Sequence, residues 1–201
     1  MTRIVLASAS PRRKALLAAL GLRFVVIVSG APETASGPPG QLVVENARAK
    51  RDDVAAGLTE PALVIAADTV VVLEDDVLGK PVDAAEARRM LRHLSGRTHQ
   101  VYTGLSLADT GAGTAAEGFE CTDVTFRALA EAEIDAFVEA VNPVDRAGAY
   151  TVDGPGSLLV ERYDGCYQNV LGLPMVCLDR LLRPLGYSLF ELMHGPASVF
   201  L

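Results

Sequence analysis

Arg12, Arg13 and Lys14 follow Ser10 and Pro11 in the run LASASPRRK, directly after the apolar residues Ile4 to Ala7. That order predicts a short buried strand, then a helix capped by Ser10 with Pro11 as its first residue. Leu16, Leu17 and Leu20 share one face of the helix, and Gly21 stops it. Cations in a first turn oppose the helix macrodipole, at a cost of a few tenths of a kcal/mol each, up to about 1. An anion docked on the free N–H groups reverses that sign, and phosphate is the usual one. Three solvated charges on an ordinary surface helix form the competing reading.

Asp68 and Thr69 interrupt Leu63 to Leu73, LVIAADTVVVL, a run apolar on both faces and so central in a sheet. A carboxylate buried there is costly unless it is paired, hydrogen-bonded or bound to a metal. Lys50 poses the converse problem. A helix predicted from Gln41 to Ala56, stopped by Gly57, has the apolar stripe Val43, Ala47, Val54, and Lys50 completes it. An ammonium on that face either finds an anion or snorkels to the surface, and both readings stand. Arg48, Arg51, Asp52 and Asp53 fall on the polar faces, where charge costs little.

Two more charges belong to loops. Glu33 is the one acid in the Gly- and Pro-dense segment Gly30 to Gly40, and it becomes a ligand only if the fold returns it to the anion site. Lys80 follows a hairpin turn at Glu74 to Asp76. Cations neutralise a polyphosphate, while carboxylates hold Mg²⁺ or a similar hard ion and deprotonate a water. The set suits metal-assisted phosphoanhydride hydrolysis. No Ser-His-Asp or Cys-His order supports acyl transfer, and His93, His99 and His194 lack ligand spacing and read as structural.

The elements that must position these residues follow from the same pattern. Phe24 to Val28 predicts a second buried strand, and Asp83 with Glu86 opens a helix through Leu94 that Gly96 ends. Thr98 to Ala108 and Ala116 to Phe126 predict an antiparallel pair, followed by a helix from Leu129 to Val141. From Asp145 the chain is glycine-rich. Pro174 starts a last helix through Leu185, and the tail from Tyr187 to Leu201 is apolar enough to pack on the body or on a partner subunit.

With 201 residues, half of them hydrophobic, the chain can bury one sizeable core and reads as a single domain, 1–201. A net charge of -7 argues against broad nucleic-acid or anionic-lipid binding, so any basic site is local. Cys121, Cys166 and Cys177 make no disulfide framework and suit a reducing compartment. No uncharged run is long enough to span a bilayer, so the expected location is the cytoplasm.

LASASPRRK, Glu33, ARAK ending at Lys50, AADTVV around Asp68, LGKP at Lys80, LSGRTHQV, DRAGAY and NVLGLP resemble, in order, the Maf family of nucleoside triphosphate pyrophosphatases. The resemblance implies an elongated α/β fold, a mixed sheet flanked by helices, with two lobes around a central cleft as in inosine triphosphate pyrophosphatases. It implies cleavage between the α and β phosphates, with Asp68 as general base and metal ligand and Glu33 helping to hold Mg²⁺ or Mn²⁺. Ser8, Ser10, Arg13, Lys50 and Lys80 would cradle phosphates, and Arg12, Thr69 and Asp153 match positions associated with substrate choice. A homodimer is expected from the resemblance alone, and the alternative to catalysis, a nucleotide-binding regulator of septation with little or no catalysis, follows from the family's association with septum inhibition together with the apolar tail. Arg12 and Thr69 match the dTTP/UTP branch, but that branch carries Gln in an IQG triplet where this chain has Asp153 in VDG. A Gln amide both donates and accepts, whereas an ionised Asp only accepts. Cys166 stands where the family often has Asp after Gly.

Overall fold

The computed structural model describes residues 2–193. In chain order the elements are β1 (Ile4–Leu6), α1 (Pro11–Ala19), β2 (Val25–Val26), α2 (Pro39–Ala56), β3 (Leu63–Leu73), β4 (Asp76–Leu78) and α3 (Ala84–Leu94). They continue with β5 (Thr98–Asp109), β6 (Thr114–Phe126), α4 (Glu131–Val141), β7 (Val160–Asp164), α5 (Tyr167–Val170), α6 (Met175–Leu182) and α7 (Leu189–Leu192). One seven-stranded mixed sheet has the order β2-β1-β3-β5-β6-β7, with β4 beside β3. β1 is parallel to β2 and β3, and the other pairs are antiparallel.

β3 organises the rest. Ile65 and Ala67 belong to one hydrophobic core with Leu6, Leu17, Leu105 and Leu178, whereas Val71 and Leu73 belong to a second with Leu91, Phe126 and Phe137. Asp68 and Thr69 fall between the two. The antiparallel partner repeats the division: Leu105 lies in the first core, Val101 in the second, and Thr103 opposite Thr69. The outer edge of β3 pairs with β1 as far as Ile65 and with β4 from Val71. Between them the edge is open at Asp68 and Thr69, and this notch is the cleft between the two lobes.

Alternation along the strand sends neighbouring side chains to opposite faces. Val64 and Ala66 pack with Val54 of α2 in a third cluster. Asp68, two residues on, shares that face. α2 approaches closely because Gly104 is opposite Asp68; a Cβ on Gly104 would lie 2.4 Å from the backbone of Val43.

The structure corrects several expectations. The strand expected over Phe24 to Val28 is two residues long, and Val25 and Val26 are exposed. It is the outermost strand, so its β-branched residues mark a sheet edge and not a core. Arg51, assigned to a polar face, is buried: its Nη1 donates to Glu117 Oε1 and to Ser106 Oγ, both at 2.8 Å. The strand β6 passes under α2 and brings Glu117 to it. The helix expected to be the last, from Pro174 through Leu185, is α6 and ends at Leu182, because Pro184 has no N–H and the next turn tightens to a 3₁₀ form over Arg183–Leu185; the short α7 follows it. Of the apolar tail, Leu189 and Leu192 pack into the first core; residues 194–201, His194 included, lie outside the described residues. His99 is buried with its Nε2 2.8 Å from the Tyr150 hydroxyl and its ring edge-on to Phe126, and burial lowers its pKa to about 4. No helix among the described residues is long and apolar enough to cross a membrane, and the three cysteines are free thiols.

Candidate active site

A cleft of about 390 Å³ opens at the notch in β3. Ser8, Ser10, Arg12, Arg13, Glu33, Lys50, Asp68, Thr69 and Lys80 all line it, drawn from five separate stretches of chain. Asp153 is not among the lining residues. It is exposed, and one of its carboxylate oxygens accepts the Thr151 hydroxyl proton, while Thr151 itself faces the cleft.

The α2 face of β3 supplies the carboxylate half. Lys50 Nζ lies 2.6 Å from Asp68 Oδ1 and 2.5 Å from Glu33 Oε1, so the loop does return Glu33 to Asp68. Asn46, one turn before Lys50 on α2, donates from Nδ2 to Asp68 Oδ2 at 3.0 Å and to the Thr34 carbonyl at 2.9 Å. Its Oδ1 accepts from the Thr34 N–H and hydroxyl. One buried amide therefore ties Asp68 to the loop that carries Glu33. Asn46 belongs to no motif, and the one signal for it is its helical spacing from Val43 and Lys50, which places a polar group on the buried stripe.

The opposite face supplies the cationic half. Ser10 caps α1, its Oγ accepting from the Arg13 N–H at 3.4 Å. Arg13 turns inward, donating to the Gly172 carbonyl at 2.7 Å, to Ser8 Oγ at 3.1 Å and to Thr69 Oγ1 at 2.9 Å. All three acceptors are neutral, and desolvation lowers the Arg13 pKa against a partial opposing pull from Asp68. A buried guanidinium held by neutral acceptors leaves a positive potential at the helix start. Arg12 is likewise lowered, first by desolvation and then by Arg146.

Arg146 and Asp145, from the glycine-rich segment, also line the cleft and were not singled out in the sequence. Arg146 Nη1 reaches the Val141 carbonyl at 3.4 Å, and Nε is buried without an acceptor among the described residues, 3.8 Å from Asp145. Five cations face three carboxylates in this cleft, in a chain whose net charge is -7. The local excess is positive, as an anionic ligand requires.

Among the described residues no group of three or more His, Cys, Asp or Glu is arranged to hold a metal ion by itself. Asp68 and Glu33 nevertheless converge on one cation, and two carboxylates with the remaining positions filled by phosphate oxygens and water form a fitting donor set for Mg²⁺.

The chain is 45% identical over 192 residues to a dTTP/UTP pyrophosphatase of Pelotomaculum thermopropionicum, covering 94% of this chain and 99% of that protein. It is 48% identical over 192 residues to a dTTP/UTP pyrophosphatase of Moorella thermoacetica, covering 94% and 98%. Among solved structures, the Staphylococcus aureus Ham1 protein overlaps 62% of this chain and 72% of its own, at 17% identity and a TM-score of 0.45. The profile of the family described as Maf-like protein matches residues 3–185, and the chain belongs to that family.

Proposed function

We propose that this chain hydrolyses nucleoside triphosphates between the α and β phosphates, releasing a nucleoside monophosphate and pyrophosphate. The observation that carries the reading is the convergence of Asp68 and Glu33 on Lys50 beside a helix start whose Arg13 has only neutral partners. The names of the relatives, dTTP/UTP pyrophosphatase and nucleoside triphosphate pyrophosphatase, support it.

In this reading the triphosphate docks on the α1 start, where free N–H groups, Arg12 and Arg13 meet it, with Lys80 on the facing lobe. Lys50 is shared between two carboxylates in the free chain and shifts onto a phosphate oxygen when the substrate arrives. Asp68 Oδ1 is thereby released to accept a proton from water, while Asn46 holds Oδ2 and keeps the carboxylate aimed. Asp68 and Glu33 would hold Mg²⁺ or Mn²⁺, which when bound neutralises developing phosphate charge and lowers the pKa of water. Thr69 and Arg12 would face the nucleobase, and uracil or thymine is the expected base. Asp153 acts on that choice through Thr151 and the field at Arg12.

The test is product analysis over a panel of nucleoside triphosphates with Mg²⁺ or Mn²⁺, detecting pyrophosphate and orthophosphate separately. Pyrophosphate with monophosphate, lost on chelation and restored by metal, is expected. Orthophosphate alone, or turnover indifferent to chelator, would overturn the reading.

A further inference from the structure

We propose that Thr103, a residue outside the cleft lining, fixes the hydrogen-bond polarity of Thr69, so that the cleft selects a nucleobase presenting an N–H there. The proposal rests on the nucleotide reading of the cleft above. Thr103 is fully buried and sits opposite Thr69 in the β3–β5 register. Its Oγ1 donates to the Asn169 carbonyl at 2.9 Å and lies 2.9 Å from Thr69 Oγ1. Thr69 Oγ1 also accepts from Arg13 Nη2 at 2.9 Å.

Proton counting decides the direction. A guanidinium has no acceptor and a carbonyl has no donor, so both ends of the chain are fixed. Thr103 has one hydroxyl proton and spends it on Asn169. The contact between the two threonines is then a bond only if Thr69 is the donor. Thr69, having accepted from Arg13 and donated to Thr103, keeps one lone pair and no proton for the cleft. Reversing the threonine pair would abandon the bond to Asn169, and it would oppose the polarisation that runs from a buried cation toward a carbonyl. The Asn169 carbonyl also accepts the Gly172 N–H at 2.8 Å, which holds that acceptor in place whichever way the threonines point. Gly172 in turn lets the backbone crowd the pair, because a Cβ there would lie 3.2 Å from Thr69 Oγ1.

An acceptor at Thr69 fits the imide N3–H of uracil or thymine. Cytosine has a lone pair at the same ring position and meets lone pair with lone pair. Thr103 is a positioning residue in this scheme: it touches no ligand and acts through Thr69.

The test compares the affinity of the full chain for α,β-imido analogues of UTP and CTP by titration calorimetry, for wild type, Thr103→Val and Thr103→Ser. Valine keeps the shape and removes both hydrogen-bonding roles, which frees the Thr69 proton to turn toward the ligand. The expected result is a fall of about fivefold to tenfold in the UTP-to-CTP preference of Thr103→Val, on the scale of one net hydrogen bond. Thr103→Ser should stay within about twofold of wild type. A merely structural threonine would weaken both nucleotides together and leave the ratio unchanged, and that outcome overturns the proposal. Wild type that binds neither analogue overturns it too. Wild type that prefers UTP but never releases pyrophosphate overturns only the hydrolytic reading.

Discussion

Helix α2 carries two charged groups one residue apart, and they end in opposite kinds of surroundings. Arg51 enters a closed ring: Glu117 and Ser106 take Nη1, while Asp52 takes Nε and Nη2 at 2.8 and 2.7 Å. Arg48 completes the ring, and its hydrogen bonds hold the Glu117 carboxyl below its ordinary pKa. Lys50 enters an open one. Among the described residues it is the single cation between Glu33 and Asp68, while Arg13 close by is held by neutral oxygens alone. Burial and charge are common to both clusters, so neither distinguishes a site from a brace. The distinction is whether the protein by itself answers every charge.

That contrast can be broken or sharpened by substitution. The largest effect is expected from Asp68→Asn, about 10²–10⁴-fold in kcat with the circular dichroism spectrum preserved, the usual range for removing a general base. An unchanged kcat would move the base elsewhere in the open cluster. Lys50→Met should lose at least about 10-fold in kcat/KM and leave two carboxylates facing each other; its melting temperature should then rise on adding Mn²⁺ more than wild type does. Arg51→Met should do the reverse: about 3 kcal/mol of stability lost in urea denaturation, from stranding part of Glu117, with kcat within about twofold.

His99, buried in the second core away from both clusters, adds a pH-dependent case. Its folded pKa of about 4 lies below the ordinary 6.5, so the unfolded chain binds the proton more readily. The stability it contributes is complete above pH 6.5 and falls by about 3 kcal/mol as pH drops toward 4. His99→Phe should flatten that slope in a pH series of unfolding curves. The smallest effect belongs to Arg48→Ala. Arg48 is half exposed, so the loss should stay below about 1 kcal/mol and shrink with added salt.

How far the sequence could be read follows the same line between local and distant causes. β3 is found over its full predicted span, Leu63–Leu73, because its apolar run is a local signal. The Ser10 cap and Pro11 start are likewise local and hold. The β2 region departs from its expected span because hydrophobicity does not say how many neighbours a strand will have. Arg51 departs from its expected polar face because Glu117 reaches it from 66 residues away, across a strand pairing that no helical spacing records. Within the cleft, residue types pointed to Asp68 and Lys50, but their meeting depends on Gly104, whose missing side chain lets α2 settle on β5. Asn46 and Arg146 are hard to see in the sequence for different reasons. The first shares its stripe with apolar residues that alone explain a buried helix face, and the second lies in a segment whose strongest local signal is glycine.

The notch in β3 has a counterpart on the strand's other side. There β3 pairs with β5 without interruption from Leu63↔Asp109 to Val72↔Gln100, and β5 pairs with β6 from Asp109↔Thr114 to Thr98↔Thr125. The two hydrophobic cores are thus strung on one unbroken ladder of hydrogen bonds, and neither owns its backbone separately. A chain built so should lose both cores in one cooperative step, with the slowest-exchanging amides shared between lobes along β3 and β5. The open edge leaves the cleft accessible, and the closed edge ties the two halves into a single thermodynamic unit.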